Sequence, residues 1–87
     1  MASFKFSIGA VNITDYLLVI ARKGSDPSTE ADRKTIPGPQ PETQNISFTG
    51  LDAVTYDFDF RESADGTTLG TLLATYVVDV KNQIILA

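Results

Sequence analysis

An all-β sandwich or small barrel is the fold class this sequence predicts, on three observations. Apolar and polar residues alternate with a period of two in several short runs. No stretch carries a convincing 3.6-residue helical period. Turn signals rich in Gly, Asp, Asn and Pro separate the runs, giving five to seven short strands. Eighty-seven residues, 43% hydrophobic and 21% charged, suit one small globular domain (residues 1–87) and show no internal repeat.

The first strand is read from Phe4, Phe6 and Ile8, which alternate with Ser3, Lys5 and Ser7. Gly9 and residues 12–15 then supply turn chemistry. Residues 16–22 are aromatic and branched almost throughout, the pattern of a central strand covered on both faces. From residue 25 to 42 the composition changes: four prolines and scattered charge predict an exposed Pro-rich connection, pinned by a short edge strand near 34–36.

Alternation resumes with Ile46 and Phe48, and Gly50-Leu51 marks a corner. Tyr56, Phe58 and Phe60 then alternate with Asp57, Asp59 and Arg61, predicting an aromatic face inward and a charged face toward water. Ser63-Ala64-Asp65-Gly66 reads as a hairpin turn. A last strand is expected over 72–80, and Ile84-Ile85-Leu86 forms a separate apolar cluster at the end of the sequence.

Composition excludes several kinds of chemistry. The chain has no Cys and no His, which removes thiol nucleophiles, imidazole bases, disulfides and the usual zinc ligands. The net charge is −4, and the two basic pairs, Arg22-Lys23 and Arg33-Lys34, lie among acids, so no nucleic-acid partner is expected. The longest strongly apolar stretch, 16–21, is far too short to span a bilayer, and the N-terminus lacks the apolar run of a signal peptide. The expected product is therefore made in the cytosol and stays soluble unless it is assembled into something larger.

The stretch from Asn45 to Phe60 resembles the second half of a fibronectin type III or related immunoglobulin-like domain. That family pairs a strand ending in Gly-Leu with a Tyr five residues beyond the Leu, here Gly50, Leu51 and Tyr56. The resemblance implies a tyrosine corner, its ring in the core and its hydroxyl bonded to backbone upstream. It implies core positions for Tyr16, Leu51, Tyr56, Phe58 and Phe60, with 16–20 as the family's central strand. The chain departs from the family in having no Trp, and in having room for one strand before Tyr16 where the family has two. A small antiparallel sandwich with its first strand absent or replaced is the implied architecture.

Asp57, Asp59, Glu62 and Asp65 form an acidic cluster, but alternate positions on a strand are where solvent-facing residues belong, and neither a metal site nor a glycosidase pair is expected. Asn12-Ile13-Thr14 and Asn45-Ile46-Ser47 match a glycosylation pattern, while Gly24-Ser25-Asp26 and Asp65-Gly66-Thr67 read as turns without the Arg-Gly-Asp tripeptide. The more informative residues are Leu17, Val19, Ile84, Ile85 and Leu86, a candidate interface; Leu17, Val19 and Ala21, apolar where water-facing residues are expected, lie either there or under the Pro-rich connection. No enzyme, cofactor or metal is expected. The expectation is a structural or assembly module working through protein partners or self-association, as in a bacteriophage virion subunit (tail, baseplate, fibre adaptor or capsid decoration). The alternative is an adhesion or carbohydrate-binding accessory domain of a larger bacterial surface protein or secreted enzyme.

Overall fold

The computed structural model describes residues 1–87 as seven strands without a helix. These are β1 (Ala2–Ile8), β2 (Tyr16–Lys23), β3 (Asp32–Pro37), β4 (Gln44–Leu51), β5 (Thr55–Ser63), β6 (Leu72–Asp79) and β7 (Ile84–Ile85). They form two antiparallel sheets, one ordered β1-β4 and the other β3-β2-β5-β6-β7. No helix is long and apolar enough to cross a membrane.

The core lies between the sheets and follows the alternation. Phe4 and Phe6 of β1, Ile46 and Phe48 of β4, and Tyr56, Phe58 and Phe60 of β5 are all buried in it, with Leu51, Val78 and Val80. Phe58 is the hub: its ring centroid lies 5.0 Å from those of Phe6 and Phe48 and 6.0 Å from those of Phe4 and Tyr56. Each such aromatic pair adds about 0.5–1.5 kcal/mol beyond the area it buries.

Gly50 closes β4 with φ +68°, at a bulge where Ala2 and Phe4 pair with Leu51 and Phe48. A bulge needs one residue outside the extended region, which glycine adopts without a Cβ penalty. The bulge turns the chain so that the backbone N–H of Asp52 donates to the Tyr56 hydroxyl at 3.0 Å. The buried ring thereby keeps its one polar atom satisfied.

Strand β2 departs from expectation in its phase. Leu17 and Val19, expected at an interface, point into the core and are buried in it together with Ala21. Tyr16, expected in the core, lies on the opposite face and is only half-buried. Leu18 and Ile20 share that opposite face, yet both are completely inaccessible to solvent.

The same face of β5 is not a water face either, since Asp59 is only 8% exposed. Polar side chains and a loop provide the cover. In register, Leu18 sits between Thr35 and Arg61, and Ile20 between Arg33 and Asp59. The expected tight hairpin after Ser63 is instead the connection 64–71. It is tied down by Arg33 Nη1 donating to the Thr67 carbonyl (2.6 Å) and Arg61 Nη1 to that of Gly70 (3.0 Å). Gly66, at φ +81°, rests against the Tyr16 ring. Long arginine stems cover apolar surface while their heads stay polar, so no second apolar layer is needed.

The Pro-rich connection is more ordered than a loop of its composition. Its middle is β3, paired with β2 over six residues from Tyr16↔Pro37 to Ala21↔Asp32. Beyond it, Gln40 and Val11 exchange backbone hydrogen bonds of 2.8 Å each. The remainder, from Gly24 to Ala31, is exposed.

Candidate functional site

Strand β1 has a partner on one side only. The N–H and C=O of a strand residue point the same way, and successive residues point to opposite sides. The Ser3 carbonyl faces away from β4, because it accepts a hydrogen bond from Gln83 Nε2 (2.7 Å) in the turn between β6 and β7. By the same alternation the backbone groups of Lys5 and Ser7 face outward, and no strand pairs with them. Ser3, Lys5 and Ser7 thus form an open edge, with one carbonyl capped by a side chain.

Beside this edge the two sheets splay apart around an apolar groove of about 440 Å³. Ile8, Val11, Leu17, Leu73, Tyr76 and Ile85 are among the residues that line it, and none of the lining residues carries a charge. Leu73, Tyr76 and Ile85 are 48%, 38% and 51% exposed, so the apolar surface continues outward past the rim. Groups of this kind hold an apolar side chain or an extended segment.

The C-terminal cluster sits along the same side. Ile84 and Ile85 form β7, which pairs with Val78 and Asp79, and the Leu86 N–H donates to the Val77 carbonyl (2.7 Å). Folding back in this way extends the edge of the larger sheet and does not take up the open position beside β1. Ile84, Ile85 and Leu86 remain 51%, 51% and 57% exposed.

The acidic residues are dispersed, and Asp59, Asp65 and Asp52 each have partners of their own. Asp59 accepts from the Thr75 hydroxyl (2.8 Å) and lies 3.6 Å from the Arg22 guanidinium. Asp65 organises its loop: it accepts the backbone N–H of Thr68 and Thr67 and the hydroxyls of Thr68 and Ser63. Those bonds, led by the Thr68 and Thr67 N–H groups, hold its carboxyl well below the usual carboxylate range. Lys23 pairs with Asp52, which draws that carboxyl down and the ammonium up. Asp57 and Glu62 are half-buried on β5, and no three acidic residues stand together as a metal-holding group. Asn12 and Asn45 are exposed.

Sequence reasoning placed Ile84 to Leu86 on the surface but missed the groove they flank. Its walls come from the end of β1, the following connection, β2, β5, β6 and β7, so no single run announces it. The signal present was Val11 and Ile13, apolar residues inside a stretch otherwise read as turn chemistry. Comparison with protein-family models, with curated proteins and with solved structures gives no match.

Proposed function

We propose that this domain is a non-catalytic structural module that acts by protein contact, built as an immunoglobulin-like sandwich of the fibronectin type III kind without its first strand. The strand order supports the fold reading. In an immunoglobulin-like sandwich the third, sixth and seventh strands form one sheet, with an added strand beside the third, and the second and fifth strands belong to the other. The order β3-β2-β5-β6 and the β1-β4 pair correspond to that arrangement without its first strand and with the added strand in place of the fourth. The Tyr56 hydroxyl bound to backbone four residues upstream supports it too.

The observation that carries the functional reading is the open β1 edge beside an uncharged apolar groove. A sheet edge of this sort is a template for another strand, and proteins that do not use such an edge blunt it. The absence of Cys and His from the sequence points away from the common nucleophile and base pairings. The setting we assign is a small bacteriophage virion subunit, a fold-level analogy for a small sandwich whose chemistry is all contact. Particles purified on a density gradient and probed with an antibody to the domain test this. The domain is expected in the particle fractions at fixed stoichiometry, and its recovery only as free protein contradicts the reading.

A further inference from the structure

The open edge has a sequence with an unusual property: it is complementary to itself. In Ala2–Ile8 the apolar residues Phe4, Phe6 and Ile8 alternate with Ser3, Lys5 and Ser7, which carry the outward backbone groups. Two such strands laid antiparallel about Phe6 place Lys5 opposite Ser7 of the other copy, Phe4 opposite Ile8, and Phe6 opposite Phe6. Lys5 and Ser7 are the residues whose N–H and C=O point outward, so in this register they meet as hydrogen-bonded pairs. The alternative centred on Lys5 sets two ammonium groups face to face, which like-charge repulsion disfavours.

Charge distribution suits a second copy on this side. The outer edge strand of the larger sheet, β3, carries Asp32, Arg33 and Lys34, and Lys34 also lies over the Phe48 ring of β4 (5.8 Å to the centroid). Charges on an edge are a common device against pairing. Along the β1 side no residue lining the groove is charged, although the chain carries a net charge of −4. A second copy therefore approaches here without facing its twin's acidic residues. A standard interface takes about 800 Å² from each partner. The exposed Leu73, Tyr76 and Ile85 extend the contact beyond the strand edge itself.

We infer that the chain pairs with a second copy of itself through β1, antiparallel and centred on Phe6, to make a continuous four-stranded sheet β4-β1-β1-β4 across a twofold axis. This rests on the contact reading above and names its partner. The interface is isologous, so each contact occurs twice and a substitution at Ser7 acts twice.

The test is sedimentation equilibrium of the full chain and two variants, with denaturation midpoints confirming the fold, since Ser7 is exposed. The wild type is expected to dimerise. Ser7→Lys, which puts two ammonium groups opposite each other at both ends, should weaken the dimer about fivefold or more. Ser7→Glu, which gives each Lys5 a carboxylate, should tighten it by about as much. Both changes should shrink in high salt. A wild-type chain that stays monomeric at millimolar concentration overturns the inference, as does a dimer that responds to both substitutions alike. A monomer that still co-purifies with particles refutes self-pairing alone, whereas a monomer found only free refutes the contact reading as well.

Discussion

Tyr56→Ala should destabilise the domain by about 3–5 kcal/mol, the cost of deleting a large buried aromatic. A domain of this size holds about 5–15 kcal/mol in all, so much of the population would be unfolded under mild denaturant. Two losses combine. The ring is buried against Phe58, and the hydroxyl is the acceptor for the Asp52 N–H. Tyr56→Phe separates them: it keeps the packing and leaves that N–H without its partner, costing about 1 kcal/mol. Equilibrium urea unfolding of the three proteins checks this. A loss below about 1 kcal/mol for the alanine variant would show that the corner does not hold the sheets together.

Gly38→Ala should cost about 3 kcal/mol, although it adds a single methyl group, because the methyl meets backbone. A Cβ built there lies 2.1 Å from the Ile13 carbonyl oxygen and 2.7 Å from that of Asp15. Backbone cannot rotate away as a side chain can. The segment leaving β3 must therefore part from the segment entering β2, straining the Gly38 N–H to Asp15 C=O bond of 2.7 Å and the Val11–Gln40 bridge beyond it. Gly24 is the control. Its added Cβ meets Thr55 at 3.5 Å, an ordinary contact, so Gly24→Ala should stay within about 0.5 kcal/mol of the wild type. Thermal melts of both variants decide it; equal shifts would mean that the approach at Gly38 relaxes freely.

The fold was legible wherever one face of a strand is apolar and the other is not. Phe4, Phe6, Ile46, Phe48, Tyr56 and Phe58 announce their inward face by spacing alone, and all are buried. Strand β2 was not legible in phase, because Tyr16 through Ala21 are apolar at every position and alternation carries no sign there. Only the pairing with β5 decides that Leu17 and Val19 turn inward while Leu18 and Ile20 turn out. The cover over Leu18 and Ile20 was invisible for a different reason. It is made by Arg33 and Arg61 reaching loop carbonyls, and such polar residues read as a solvated face. Asp59 was misplaced with them, since its burial depends on Arg22 and Thr75, one from each neighbouring strand.

The site was legible in part. The alternation of Phe4, Phe6 and Ile8 is enough to expect the strand that carries the edge, and the structure leaves that strand with a partner on one side only. Which groups point out of it is not in the sequence, because strand alternation fixes two sets but not which set faces the neighbour. The Gln83 amide on the Ser3 carbonyl resolves that choice. The groove is a property of how far the two sheets diverge, and no local pattern encodes it.

Amide hydrogen exchange along β1 tests the central claim, that the domain carries an open strand edge made for contact. In dilute solution the Phe6 N–H, which faces β4, should exchange slowly, while those of Lys5 and Ser7 exchange at close to the rate of an unstructured chain. At concentrations where the chain associates, Lys5 and Ser7 should become protected and Phe6 should change little. Lys5 and Ser7 already protected in the dilute monomer, or exchanging at the same rate as Phe6 throughout, would contradict the account.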